Sequence, residues 1–376
     1  MTLTGREKIE AAFSPEGSPE IAAVICYEDV YYRDHWAQLT SAPWWDVHSP
    51  DLGRQLAWYR DAIEKTGQDW LNLPSFYPRD VRRRLAIEQR EDGIYLIDRL
   101  AGSARLLTPP TVGGEQIHEG TQTLPESPSD VDAQVELASA FDAAVFEERG
   151  TGDLAASLLG EYGARLYPIA RVSSPMWVTY NLWGFAGMMT LIASRPDLVR
   201  RACGRYLTGV LRQVTEAAAL GARAIWIEEC LTDMISPAAF ASLNAPVVRQ
   251  LVEGIAAEGM KSIYYYCGDP GGKWEHILAI GADALALEES KKGFTIDIAE
   301  VAERVRGRCT LLGNLDAIDL LEKGSDEDLR REIERQIEAG RRNGSRFVMS
   351  LGSPVTPGTT AERVRRYCDL VHELGS

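Results

Sequence analysis

A cysteine and two glutamates that follow strand-like runs in the middle of the chain are the residues best suited to chemistry. Cys267 ends the run SIYYYC, and Glu228, Glu229 and Cys230 follow the run AIWI. Thiolates and carboxylates are zinc ligands, and a carboxyl group is also a general acid or base. Considered alone, however, a cysteine on a strand is more often a small buried side chain than a functional one.

Eight short apolar or β-branched runs alternate with longer segments of helical periodicity, which is typical of a parallel sheet wrapped by helices. The predicted strands are Ile21 to Cys26, Asp69 to Leu73, Arg165 to Val172, Ala222 to Ile227, Ser262 to Cys267, Ala282 to Leu287, Thr310 to Gly313 and Phe347 to Leu351. The fold class predicted is therefore α/β, a (β/α)8 TIM barrel. We expect one domain over residues 1–376, with an inserted hairpin and loop region in the N-terminal half, residues 74–162, partly outside the barrel.

The residues just after each predicted strand are the site candidates, because active sites of such barrels lie at the C-terminal ends of the strands. Plain structural roles compete with the functional ones. The asparagine and aspartate in the set could satisfy loop backbone groups, the glutamates could pair with Lys291 or Lys292, and the tryptophan could be core. The candidates are Tyr27, Glu28, Trp177, Glu228, Glu229, Cys230, Tyr265, Cys267, Asn314, Asp316 and Ser353.

Composition excludes several classes of function. A net charge of -15 disfavours nucleic acid and anionic membranes as partners, since those interactions need clustered Lys and Arg. Six scattered Cys without a CxxC pair indicate reduced thiols, and neither a signal peptide nor a membrane-spanning run is recognisable. We therefore expect a cytoplasmic protein with a small-molecule substrate, and the sequence leaves the choice between monomer and homodimer open.

A family likeness is carried by the order and spacing of three C-terminal stretches: SIYYYCGDP, LLGNLDAIDLLEKGSDEDLRREIERQIEAG and FVMSLGSPVTPGTTAERVRRYCDLV. They resemble the last strands of the uroporphyrinogen decarboxylase superfamily, in which a Gly-Asn pair ends one strand and a Gly followed by Pro-x-Thr opens the final loop. The resemblance extends from about Arg165 to the C-terminus. Within that superfamily the sequence most resembles the corrinoid-dependent methyltransferases. The resemblance implies an enzyme with a barrel fold.

The resemblance also implies a metal site. Those methyltransferases hold catalytic zinc with a His-x-Cys-Gly strand end and a later Cys. Here Cys267 keeps the first cysteine, Tyr265 stands at the His position and Ser353 falls near the later Cys. Because neutral hydroxyls are poor zinc ligands, we predict one zinc per chain, held by Cys267 with at least one of Glu228, Glu229 and Cys230. Tyr265 would then donate a hydrogen bond to substrate.

The N-terminal segment argues against the decarboxylase activity that names the superfamily. Those decarboxylases hold the carboxylates of their substrate with an Arg-rich N-terminal segment, and residues 1–32 lack one. The corresponding run here, AAVICYEDVYYRDHW, is rich in acids and aromatics and suits a neutral or cationic, partly aromatic substrate.

The first functional hypothesis is a methyltransferase that moves a methyl group between a methoxy, amine or thiol compound and a corrinoid protein, with zinc as Lewis acid. The corrinoid would reside on a partner, since this chain has no Asp-x-His-x-x-Gly motif. The second is a cofactor-free lyase acting on a small carboxylate, with Glu229 or Asp316 as proton donor. A non-catalytic binding barrel is the third.

Overall fold

The computed structural model describes residues 2–113, 120–291 and 293–376. Seven parallel strands form one sheet in the order β1-β5-β6-β7-β8-β9-β10, so chain order and spatial order agree. Their buried side chains are mostly apolar on both faces, as expected of parallel strands covered by helices. These strands are β1 (Trp70–Asn72), β5 (Tyr167–Ser173), β6 (Ala224–Glu229), β7 (Lys261–Tyr266), β8 (Ala284–Leu287), β9 (Thr310–Leu312) and β10 (Phe347–Val348).

The first predicted strand, residues 21–26, is not a regular strand but an extended segment with a single β-bridge from Ala23 to Met349. It still connects the two edges of the sheet, because Asp69 N–H donates to the Ala23 carbonyl and Val24 N–H to the Met349 carbonyl. Side chains replace part of the ladder, since the carboxylate of Asp69 accepts from Ala23 N–H at 2.7 Å. The curled sheet and this segment give the predicted (β/α)8 barrel architecture.

The helices cover the outside of the sheet, and the loops that connect them to the strands form its rim. Several stop at a left-handed glycine, as α9 does at Gly221 (φ 94°), where a side chain would be strained. They are α1 (Gly5–Phe13), α2 (Glu28–Leu39), α3 (Leu52–Thr66), α4 (Arg79–Arg84), α5 (Pro128–Gln134), α6 (Ala143–Arg149), α7 (Asp153–Tyr162), α8 (Pro175–Ser194), α9 (Pro196–Leu220), α10 (Pro237–Ala239), α11 (Ala245–Ala257), α12 (Trp274–Ala279), α13 (Ile298–Val305), α14 (Asp326–Arg342) and α15 (Ala361–Leu374).

The predicted insertion contains a small sheet of its own. Strands β2 (Leu85–Arg90), β3 (Gly93–Asp98) and β4 (Ser103–Leu107) pair antiparallel and make no ladder with the barrel strands. The expectation of an inserted hairpin in the N-terminal half is thus confirmed. None of the helices in the described part of the chain combines the length and the apolar character needed to cross a bilayer.

Candidate active site at the barrel mouth

Two thiols lie side by side where β6 and β7 end. The parallel register pairs Glu228 with Tyr265 and Glu229 with Tyr266, so Cys230 and Cys267 follow as neighbours. Cys267 makes side-chain contacts with both Cys230 and Glu288, and these contacts, together with burial, raise the pKa of the Cys267 thiol. The sequence therefore places two nucleophilic or metal-binding sulfur atoms together at the end of the barrel where active sites form.

The two glutamates after β6 point to opposite faces of the sheet, because side chains alternate along a strand. Glu228 shares the inner face with Tyr265, and it pairs with Arg171 at 3.2 Å. Glu229 is fully buried on the helix-facing side, where it accepts hydrogen bonds from Ser174 (2.7 Å) and Asn244 (2.8 Å). Glu229 and Cys267, which we predicted to bind a metal together, therefore lie on different faces of the sheet.

Burial dominates the ionisation of Glu229. It raises the pKa of that carboxyl to about 7, against the lowering effect of the Ser174 and Asn244 hydrogen bonds. The same cause raises the pKa of Glu28 to about 7, where Gln68 and Tyr32 donate to its carboxylate beneath the rim. Both predicted site carboxyls are thus enclosed by protein.

A cavity of about 640 Å³ opens above the thiols, and we call it the barrel-mouth cavity. Of the predicted site residues it exposes Tyr27, Trp177, Glu228, Cys230 and Ser353 in its wall, whereas Cys267 and Tyr265 lie just behind the wall. A cavity of this size suits a small-molecule ligand.

Tyr27, in the wall of the barrel-mouth cavity, packs on Tyr265 behind it. The ring of Tyr27 meets the ring of Tyr265 edge to face with centroids 5.6 Å apart, and its hydroxyl lies 4.0 Å from the Cys230 sulfur. Tyr27 adopts a left-handed φ of 54°, a strained conformation for a residue with a side chain. The Tyr265 hydroxyl donates to the Gly352 carbonyl at 2.9 Å, so its hydrogen is already committed within the protein.

Sequence reasoning missed Arg171, which crosses the barrel-mouth cavity. Its guanidinium pairs with Asp29 and Glu228 and lies 5.2 Å from the ring centroid of Tyr27. The available signal was a single arginine inside the otherwise apolar run of β5. An arginine on a strand interior that is buried must find carboxylates, and two of the acids near the mouth fulfil that role.

A second charged group at the mouth centres on Lys291. Its ammonium lies 2.7 Å from Glu288 and 3.7 Å from Glu289, and it donates to Ser353 at 2.7 Å. Burial lowers the pKa of Lys291, but the hydrogen bond and the charges of Glu288 and Glu289 outweigh it and the pKa is raised. The sequence suggested Lys291 or Lys292 as a partner of Glu228 or Glu229. In the structure Lys291 pairs with Glu288 and Glu289, whereas Glu228 pairs with Arg171; Lys292 lies outside the described residues.

Asn314 and Asp316 lie away from the barrel-mouth cavity. The Asn314 amide donates to the carbonyls of Glu288 and Ile296 and so fixes the loop that carries Glu288. Asp316 caps a π-helical turn by accepting from Ile318 and Asp319 N–H groups. Both line a separate cavity of about 470 Å³ on the outside of the barrel, so their contacts with substrate are not supported by position.

The donor set at the thiols is incomplete for a metal ion. Cys230 and Cys267 are together, Glu288 contacts Cys267, and Lys291 holds the Glu288 carboxylate. Across the described chain, no three His, Cys, Asp or Glu side chains converge closely enough to hold a metal ion. A catalytic zinc site needs three protein ligands, so the residues in this arrangement do not fit zinc fully.

The uroporphyrinogen decarboxylase family model matches residues 95–374. Curated relatives include the uroporphyrinogen decarboxylase of Neisseria gonorrhoeae strain NCCP11945, 32% identical over 193 residues that cover 50% of this chain and 52% of the relative. That of Pseudomonas fluorescens is 28% identical and covers 60% of this chain and 63% of the relative. The chain thus spans between half and two thirds of these relatives.

Among solved structures, a methyltransferase from Methanosarcina mazei superposes with a TM-score of 0.68 and 16% identity, with 100% of each chain covered. At that identity the superposition shows a common fold. The fold predicted from the sequence is therefore shared by an enzyme along its full length.

Proposed function

Because the chain belongs to the uroporphyrinogen decarboxylase family, we propose that it is a methyltransferase that moves a methyl group between a small methoxy, amine or thiol compound and a corrinoid protein. The observation that carries the proposal is the contact between the Cys230 and Cys267 thiols beside the barrel-mouth cavity. The methyltransferase from Methanosarcina mazei, which has the same fold over its full length, supports it.

The charges of the barrel-mouth cavity favour a substrate without several carboxylates. Arg171 is paired with Asp29 and Glu228, and Lys291 is paired with Glu288 and Glu289. A polycarboxylate would have to displace these acids from their cations and bury its own charges beside them, which is costly. A neutral methylated compound meets no such cost.

The walls provide contacts for an apolar substrate. The barrel-mouth cavity is lined by the aromatic residues Trp177, Tyr180 and Phe185 and by Pro354 and Val355. Aromatic and aliphatic walls exclude water from the reacting group and favour a compact organic substrate. The Lys291 ammonium on the same wall would stabilise the negative charge that develops on the oxygen or sulfur as the methyl group leaves.

Zinc stays part of the proposal only for the thiol pair. Cys230 and Cys267 are suitable zinc ligands, and a bound zinc would supply Lewis-acid chemistry. The third protein ligand is lacking in this arrangement, since Glu288 is held by Lys291. We therefore derive no step of the reaction through the metal.

Metal analysis of protein purified without chelator, combined with methyl transfer to cob(I)alamin, tests the proposal. We expect Cys230→Ser and Cys267→Ser each to lower methyl transfer at least ~100-fold, since each removes one thiol of the pair. Glu229→Gln is the matched control, because Glu229 faces the helices, and it should retain most activity. Loss of zinc in both serine variants but not in the control would support a zinc ion bound by the two thiols. Active wild-type protein that contains no metal would contradict a role for zinc in the reaction.

The curated relatives favour one alternative, a cofactor-free lyase that decarboxylates a small carboxylate. The proton donors considered from the sequence, Glu229 and Asp316, do not line the barrel-mouth cavity, so an ionisable residue of its wall, such as Lys291 or Glu228, would take that role. Carbon dioxide release that survives chelation and both Cys→Ser substitutions would favour the lyase. Methyl transfer that fails in the same variants would favour the methyltransferase.

A further inference from the structure

A second cavity of about 780 Å³ lies beside the barrel mouth, and we call it the aromatic chamber. It is formed by α2, the turn Trp44–His48, α3, the loop after β1 and strand β4 of the inserted sheet. Of the residues that the structure describes, Asp29 and Arg33 are the ones that line both this chamber and the barrel-mouth cavity. Its aromatic wall residues are Tyr32, Trp36, Trp44, Trp58, Tyr59, Phe76 and Tyr77.

The rings of the aromatic chamber pack on one another and present flat apolar faces. Trp58 stacks on Tyr59 with centroids 3.7 Å apart, and Trp36 lies 5.0 Å from Trp58. Trp58 is held in place because its indole N–H donates to Gln55 at 3.0 Å. Rigid aromatic walls of this kind favour a ligand that is itself flat and apolar over most of its surface.

The charge at the rim of the aromatic chamber is positive. Asp29 is paired with Arg171, and Arg33 is paired with Asp34. Arg105 of β4 lines the cavity and has no hydrogen bond or ion pair among the described residues. Burial, and then the charge of Arg105, lower the pKa of His48, which also lines the chamber.

The geometry points to a binding site for a planar aromatic carboxylate, with its ring between the indole walls and its carboxylate at Arg105. Arginine is suited to this role because its guanidinium binds a carboxylate through two parallel hydrogen bonds. A cationic ligand would instead be repelled by the positive charge of Arg105. The site goes beyond the proposed methyl transfer, because its aromatic walls do not border the thiols.

Calorimetric titration of the wild-type protein with benzoate, 2-naphthoate, benzyl alcohol and benzyltrimethylammonium tests the inference without reference to catalysis. We expect 2-naphthoate to bind more tightly than benzoate, since it buries more apolar area, and both to bind more tightly than the alcohol and the cation. Tighter binding of benzyltrimethylammonium than of benzoate overturns the assignment of an anion site.

Two pairs of variants locate the binding. Arg105→Gln should weaken binding of 2-naphthoate about five- to tenfold, whereas Arg99→Gln, at an exposed position in the turn between β3 and β4, should leave it unchanged. Trp44→Leu should weaken it more than Trp177→Phe, which alters the barrel-mouth cavity. Equal affinities within either pair contradict the site, and they do so whether or not the protein transfers methyl groups.

Discussion

The barrel-mouth cavity and the aromatic chamber lie side by side and share Asp29 and Arg33, yet they are built in different ways. The first is lined by side chains at strand ends, and its charges are compensated by ion pairs around Arg171 and Lys291. The second is lined by rings from helices and the insertion. In this protein the strand ends position the reactive groups, whereas the helices and the inserted segment supply apolar surface for ligand recognition.

The largest effect should come from the aromatic chamber, where wall and core coincide. Trp58 is 4% exposed, and Trp58→Ala should lower the free energy of unfolding by about 3–5 kcal/mol through the cavity it leaves. Trp177 is only partly buried in the barrel-mouth wall, so Trp177→Ala should cost much less stability and chiefly weaken substrate binding. Urea unfolding of both variants measures the two losses in free energy of unfolding. Equal losses would contradict the assignment of Trp58 to the core and of Trp177 to a cavity wall.

A smaller loss should follow from removing the cation of the barrel-mouth cavity. Arg171→Met removes the guanidinium that pairs with Asp29 and Glu228 and should lower the free energy of unfolding by about 3 kcal/mol. The control is Arg165→Met, because the Arg165–Glu64 pair is about half exposed and should contribute less than about 1 kcal/mol. If both variants unfold at the same urea concentration, the ion pairs at the mouth do not support the fold.

The smallest effect concerns pH. The raised pKa of Glu229, about 7 against an ordinary 4.5, means that the unfolded chain ionises first as the pH rises. The stability that Glu229 contributes is therefore complete below pH 4.5, declines between pH 4.5 and 7 and is constant above. Relative to Glu229→Gln, the wild type should lose about 2.5 kcal/mol across that window.

Unfolding curves at pH 5, 6, 7 and 8 for the two proteins measure this difference. The glutamine amide that Glu229→Gln introduces can be accommodated, because the buried Asn244 Oδ1 accepts no hydrogen bond from any described residue and can accept one from it. A difference that does not change with pH would mean that Glu229 is ionised in the folded protein across the whole range.

Several features could be read from the sequence because they depend on local order. The run SIYYYC and the run AIWI each identify a strand, and a parallel sheet brings their ends together, so Cys230 and Cys267 were expected near one another. The three C-terminal stretches likewise indicated the barrel and the family. These inferences need only the alternation of strand and helix and the direction of parallel strands.

Other features depended on contacts between segments far apart in the chain. The sequence did not determine which of Glu228 and Glu229 faces the barrel interior. A strand covered on both sides is apolar on both faces, so its sequence lacks the polar–apolar alternation that would show which residues point inward. The role of Arg171 depends on its ion pair with Asp29, which lies more than a hundred residues earlier. The role of Asn314 likewise depends on its hydrogen bond to the backbone carbonyl of Glu288. The aromatic chamber joins α2 and α3 to β4 of the insertion, and only the folded chain brings those rings and Arg105 around one space.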